Sequence, residues 1–248
     1  MGKSYSPNLL VLGAASDIGR EVAELFGRNG YTLTLAARQE ASLQKIAADI
    51  RIRTRSEVHT VLFDALHTDS HADFYQNLPI QPDVVVCVFG LLGDQSQAEQ
   101  SFEHARRIID TNYTGAVSIL HIVAAHFAER KRGIIVGVSS VAGDRGRQSN
   151  YVYGSAKAAF TAFLSGLRNR LYPHGVHVCT ILPGFVRTKM TLGLKLPGPL
   201  TAEPSEVARA VYMACRTKAN VVYTLWMWRY IMWVIKSIPE GIFKKLKL

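Results

Sequence analysis

Tyr153 and Lys157 stand four residues apart, and Ser140 lies thirteen residues before the tyrosine. Positions i and i+4 of a helix share a face, so a phenol and an ammonium are set side by side. A nearby positive charge favours the phenolate and draws a pKa of about 10 towards neutrality, which suits a general acid or base. Ser140 follows a short apolar run in Ser139-Ser140-Val141-Ala142-Gly143, where its hydroxyl can hold a substrate oxygen. A Tyr-x-x-x-Lys pair alone is also an ordinary helix-surface pair. The serine, and the glycine turn described next, make the combination a candidate proton-transfer site.

Near the start of the chain, Leu9-Leu10-Val11-Leu12 runs into Gly13-Ala14-Ala15-Ser16-Asp17-Ile18-Gly19 and then a helical pattern. A strand, a tight small-residue turn and a helix start are what a pyrophosphate needs, because backbone can approach it and helix N–H groups meet its charge. Two glycines six apart also fit a plain connecting turn, but here a full strand–helix–strand unit follows. The second apolar run ends Ala36-Ala37-Arg38. An NAD enzyme places a carboxylate there for the ribose hydroxyl, whereas the planar fork of Arg38 suits a 2′-phosphate, so NADP(H) is the expected cofactor. Asp64, just past the third run, is placed to accept a hydrogen bond from adenine or to cap its own turn.

These groups need a scaffold, and the apolar pattern supplies one. Leu9–Leu12, Thr32–Ala37, Val58–Phe63, Asp83–Val88, Gly133–Val138 and His177–Leu182 read as buried strands, with Val221–Thr224 as a last one. Helical stretches alternate with them at Ile18–Asn29, Ala41–Arg53, Phe74–Leu78, Gln97–Ala128, Tyr151–Tyr172 and Ser205–Arg216. The expectation is an α/β fold with a doubly wound, mostly parallel sheet of about seven strands and helices on both faces. Ligands of such sheets bind at the carboxyl ends of the strands. Met190–Pro204, with three prolines, reads as a long loop that covers the substrate.

With these motifs in order, the chain resembles the short-chain dehydrogenase/reductases over nearly its whole length. Gly13 and Gly19, Asn112 in Asp110-Thr111-Asn112, Ser140, Tyr153, Lys157 and Pro183-Gly184-Phe185-Val186-Arg187-Thr188 carry the resemblance. It implies a single-domain Rossmann fold spanning 1–224, with Tyr153 as proton donor to a carbonyl and Lys157 on the nicotinamide ribose. It further implies that Ser140 orients the carbonyl oxygen, that Asn112 supports a proton relay, and that Val186 and Thr188 contact the nicotinamide carboxamide. Ser16, Ile18 and Gly90 fall at cofactor-contacting positions of the same pattern. Two departures stand out. Asp17 replaces a glycine, and its charge would repel a pyrophosphate unless it turns into the helix as a cap. Cys87-Val88-Phe89-Gly90 replaces Asn-Asn-Ala-Gly. Both departures resemble the branch that includes decaprenylphosphoryl keto-pentose reductases, which implies a ketone on a lipid or lipid-linked sugar. A soluble ketone or a 3-oxoacyl thioester is the other enzymatic reading. A cofactor sensor without turnover is the reading from a different class, and the intact Ser140, Tyr153 and Lys157 set argues against it.

The 248 residues are 48% hydrophobic, which excludes a disordered or fibrous chain and fits a single domain. The formal charge of +10 points to an anionic partner. The basic residues are scattered and join no nucleic-acid motif, so no nucleic-acid partner is expected. Residues 225–248 form a separate tail, with all three tryptophans between Trp226 and Trp233 and with Arg229, Lys236, Lys244, Lys245 and Lys247 among apolar neighbours. A membrane-spanning helix needs ~20 apolar residues, more than this run offers. Tryptophan, tyrosine and lysine together favour the lipid headgroup region, so the tail reads as a peripheral anchor on the inner face of a membrane. The competing expectation is an aromatic subunit interface in a homo-oligomer. Cys87, Cys179 and Cys215 have no metal or disulfide spacing and fit a reducing, cytoplasmic setting. Met1-Gly2-Lys3-Ser4-Tyr5-Ser6 formally matches a myristoylation pattern that often occurs by chance. His67 and His71 have metal-ligand spacing, yet their polar surroundings read as solvated surface, so no metal is expected.

Overall fold

Each short apolar run becomes a strand, and the inner strands are covered on both sides. The protein is described here by a computed structural model over residues 6–246, so the first five residues of the myristoylation pattern, together with Lys247 and Leu248, lie outside the described residues. The main strands are β1 (Asn8–Leu12), β2 (Thr32–Ala37), β3 (Val58–Leu62), β4 (Val84–Cys87), β5 (Ile134–Val138) and β6 (His177–Leu182). Two short strands, β7 (Phe185–Val186) and β8 (Thr201–Ala202), pair with each other, and β9 (Val221–Tyr223) closes the main sheet. The seven-stranded sheet has the order β3-β2-β1-β4-β5-β6-β9, and every pair is parallel. The order reverses between β1 and β4, which places the ligand crevice at the ends of these two strands.

Side chains alternate across a strand, so each strand feeds two cores. Leu9 and Val11 join one core with Val22 and Phe26 of α1 (Asp17–Arg28), Leu43 of α2 (Glu40–Thr54) and Val207 of α8 (Pro204–Thr217). Leu10 and Leu12 join the other with Tyr75 of α3 (His71–Gln76), Ile119 of α6 (Gly115–Arg130) and Leu164 of α7 (Tyr151–Leu171). Helices thus cover both faces, as the alternation of runs implied.

Three expectations need correction. The stretch 97–128 is not one helix. It is α4 (Gln95–Gln100), α5 (Phe102–Ile109), a π-helical turn over Asp110–Thr114, and α6. Ser101 takes extended backbone and its hydroxyl accepts from His104 N, so it ends α4 and caps α5. The segment 190–204 is not a bare loop. It carries two 3₁₀ turns, Lys189–Thr191 and Gly198–Leu200, and β8 pairs Thr201 with Phe185 and Ala202 with Val186. Finally, His71 is not solvated. It is fully buried, stacked on Phe63, with Nδ1 on the Ser118 hydroxyl at 2.9 Å and Nε2 on the Asp64 carbonyl at 3.0 Å. Burial lowers its pKa, which keeps it neutral, and the described residues contain no group of three or more metal-type ligands.

The tail folds as α9 (Met227–Ser237) and α10 (Glu240–Phe243). Trp228 and Met232, one turn apart on α9, pack with Val141 and Leu182 in a third apolar cluster. No helix among the described residues is long and apolar enough to cross a membrane.

Candidate active site

The carboxyl ends of β1, β4, β5 and β6 open onto two cavities. One, of about 310 Å³, is lined by Gly13, Ser16, Arg38, Asp64, Gly90 and Thr111 among others. The other, of about 160 Å³, is lined among others by Ile18, Ser140, Tyr153, Lys157, Val186 and Thr188. Gly90 borders both, so the two form neighbouring parts of one crevice.

The first cavity is built from backbone. Gly13 has φ +99, and a Cβ there would lie 2.6 Å from Phe89 N, so only glycine fits. Ser16 caps α1 by accepting from Gly19 N at 3.0 Å while donating to the Gly13 carbonyl at 2.8 Å. The positive end of α1 therefore opens at this turn. Asp17 does not face it. As the first residue of α1, it turns its carboxylate onto Lys189 N at 2.7 Å, across 172 residues of sequence. The cap is Ser16 and not Asp17, and the feared repulsion is removed by a tie to the 3₁₀ turn beyond β7. Arg38 is exposed at the rim, with no carboxylate within ion-pair reach among the described residues. Asp64 uses one oxygen to accept from Leu66 N, so it caps its own turn while lining the cavity. A glycine cradle, an open helix end and an unpaired guanidinium together fit a phosphorylated dinucleotide.

The second cavity holds the titratable groups. Tyr153 and Lys157 share a face of α7, and the ammonium lies 5.8 Å from the phenol ring centroid. Lys157 is buried and donates to the Val138 carbonyl at 3.2 Å. Burial pulls its pKa down to about 8. Burial also pushes the Tyr153 phenol up to about 12, against the opposing effect of the Ser140 hydroxyl. The expectation of a lowered phenol is thus reversed in this crevice. Apolar walls disfavour the phenolate more strongly than the neighbouring groups favour it.

Asn112 is buried in the π-helical turn. Its Nδ2 donates to the carbonyls of Leu91 at 2.7 Å and Ile108 at 2.8 Å, and its Oδ1 accepts from Leu91 N at 3.2 Å. All its hydrogen bonds fasten backbone, so it holds the segment after β4 against α5. Val186 is buried in β7, and Thr188 caps the turn whose Lys189 N–H reaches Asp17.

These features meet in a chain whose residues 7–196 match the family described as short chain dehydrogenase. The chain belongs to the short-chain dehydrogenase family. It is 37% identical over 241 residues to an uncharacterized oxidoreductase of Mycobacterium tuberculosis (strain ATCC 25618 / H37Rv), covering 96% of each chain. An uncharacterized oxidoreductase of Streptomyces coelicolor is 36% identical over 242 residues, covering 96% of this chain and 95% of the relative. Among solved structures, a short-chain dehydrogenase from Sphingobium yanoikuyae in complex with NADPH superposes with a TM-score of 0.82 at 24% identity. That superposition covers 95% of this chain and 97% of the other. The protein is therefore an oxidoreductase of this family that uses a nicotinamide cofactor.

Sequence reasoning missed several residues of this family member's crevice. Trp228 lines the second cavity from the tail, as do Arg147 and Asn150 from the loop before α7. The i, i+4 pair Trp228 and Met232 was a usable signal of an inward face. Arg147 and Asn150 gave none, because polar residues between a strand and a helix usually face solvent.

Proposed function

We propose that the protein is an NADPH-dependent reductase of a ketone carried on a lipid or lipid-linked sugar, working at the cytoplasmic face of a membrane. The observation that carries the reading is the convergence of Tyr153, Ser140 and Lys157 on one cavity that adjoins the glycine cradle. Bound NADPH supplies the hydride. Tyr153, with a phenol near 12, keeps its proton at neutral pH and donates it from Oη to the carbonyl oxygen. Ser140 positions that oxygen by hydrogen bond, and Lys157 holds the nicotinamide ribose and adds positive charge beside the forming alkoxide. Asn112 acts as a positioning residue by fixing the backbone at Leu91. Val186 and Thr188 would meet the carboxamide, and Arg38 would grip the 2′-phosphate, which favours NADP(H) over NAD(H).

The lipid part rests on the substrate side of the crevice. Phe185, Leu194 and Trp228 give the second cavity apolar walls. Leu192 and Leu194 are exposed on the segment over it, and Trp226, which precedes α9, together with Tyr230, Trp233 and Val234 on it, is exposed beside the exposed cations Arg229, Lys236, Lys244 and Lys245. That combination suits anionic headgroups and would present the cavity to a lipid-borne ketone. A homo-oligomer is part of the proposal, with α5 and α7 offering exposed Phe102 and Tyr151 around a shallow groove.

NADPH oxidation with polyprenyl-phosphate keto-sugars against small ketones tests the reading. Turnover of the lipid-linked compounds is expected, and activity confined to small ketones would defeat the lipid assignment. Co-sedimentation with anionic vesicles tests the tail, since protein truncated after Thr224 should stay in solution while the full chain pellets.

A further inference from the structure

Among the described residues, three buried side-chain polar atoms lack a hydrogen-bond partner: Arg147 Nε, Asn150 Oδ1 and Thr224 Oγ1. The first two belong to residues that line the same cavity as Ser140 and Tyr153. Unpaired buried polar atoms are costly and rare in folded proteins, so two at one catalytic cavity mark a place where a ligand completes the bonding.

The neighbouring side chains sharpen the contrast. Arg145, two residues away, is fully employed by the tail. It donates to the carbonyls of Ile235, Lys236 and Ile238, pairs with Glu240 at 2.9 Å, and lies 3.7 Å over the Phe243 ring. Asp144 is the nearby acid, but it accepts from the Tyr223 hydroxyl at 2.9 Å and lies outside ion-pair distance of Arg147. Burial lowers the Arg147 pKa while Asp144 opposes the change, yet a guanidinium stays charged at any physiological pH. The result is a half-buried cation with free donors in a cavity otherwise walled by Leu92, Phe185, Leu194 and Trp228.

We propose that Arg147 is the specificity residue for an oxyanion of the substrate, a phosphate or carboxylate near the ketone, with Asn150 accepting from an adjacent substrate hydroxyl. The planar fork matches either oxyanion with two parallel hydrogen bonds. This inference rests on the reductase reading, and it narrows the substrate to an anionic ketone with an apolar body.

The test uses the full chain saturated with NADPH and two probe pairs, farnesyl phosphate against farnesol and dodecanoate against dodecanol, titrated by calorimetry. The wild type should bind at least one anion about tenfold or more tighter than its alcohol, the scale of a charge-assisted hydrogen bond. The pair with the larger ratio tells phosphate from carboxylate. Arg147→Gln should remove most of that ratio, and Arg147→Lys should restore part of it, with thermal unfolding confirming that both variants fold. Equal binding within both pairs, or a preference that survives Arg147→Gln, would overturn the proposal. If the preference depends on Arg147 but the wild type reduces none of the ketones tested, the reductase reading falls and the anion site stands. If ketones are reduced without any anion preference, the reverse holds.

Discussion

The two halves of the crevice are made in different ways. The cofactor half is centred on one contiguous piece: β1, the turn from Gly13 to Gly19 and α1 follow one another, and Ser16 closes the turn through Gly13 and Gly19 within three residues on either side. The substrate half is assembled from three distant pieces, the loop before α7, the segment after β7, and α9. Single side chains tie these together. Arg145 caps the end of α9, and Tyr223 reaches Asp144. Trp228 donates to the Leu200 carbonyl at 3.1 Å and meets Phe185 edge-on, with its indole where a Cβ on Gly184 would stand. A cradle read by every dinucleotide can be fixed by short-range backbone, whereas a wall that defines one substrate is built from parts that can vary separately.

Substitutions can break that comparison. The largest effect is expected where the halves meet. Tyr153→Phe should cut turnover by about 100-fold or more while NADPH still binds, as fluorescence titration would show. A loss of cofactor binding in step with turnover would mean the phenol belongs to the cofactor half. In the substrate half, Trp228→Ala should cost about 3–5 kcal/mol in denaturant unfolding, because the indole is only 3% exposed. A near-neutral result would show that α9 is a loose cover and not a wall. In the cofactor half, Arg38→Asp should weaken NADPH binding about tenfold or more relative to NADH with stability unchanged, and equal effects on both would remove the 2′-phosphate assignment.

Lys157 offers a pH test of the same boundary. Its pKa is about 8 when folded against an ordinary lysine value of 10.5, so the unfolded chain binds more protons between these values. Stability should therefore rise as pH climbs from about 8 to 10.5, be lost again as pH falls back to about 8, and show no further dependence on this group below that. Lys157→Met should flatten that rise in urea titrations at several pH values. An unchanged profile would mean that the amine is not desolvated in solution. The smallest expected effect on stability is at the outer face of the tail. Trp233 is 69% exposed, so Trp233→Ala should change stability by less than about 0.5 kcal/mol. It should nonetheless lower binding to anionic vesicles severalfold, and equal binding would detach the membrane role from this face.

Much of this was legible in the chain itself. Alternating apolar runs fixed the parallel sheet because burial on both faces demands such strands, and the order of Gly13, Ser140, Tyr153 and Lys157 reflects spacings set by one turn and one helix. The π-helical turn around Asn112 was not legible, since it depends on backbone partners at Leu91 that sequence spacing does not locate, and the break at Ser101 rests on a local cap to His104 N that the helical pattern across 97–128 masked. The direction of the Tyr153 shift was also hidden. Proximity to Lys157 follows from helix geometry, but desolvation depends on which distant walls close over the phenol.

What the sequence determined by itself is whatever lies within one element or one turn: the strands, the glycine cradle, and the shared helical face of phenol and amine. Tertiary structure alone decided that Asp17 points to Lys189, that Trp228 is buried while Trp226 is 71% exposed, and that Arg145 is spent where Arg147 is left free. The physical reason is that hydrogen bonding and desolvation are settled by neighbours in space, and for these residues the neighbours lie tens to well over a hundred positions away along the chain.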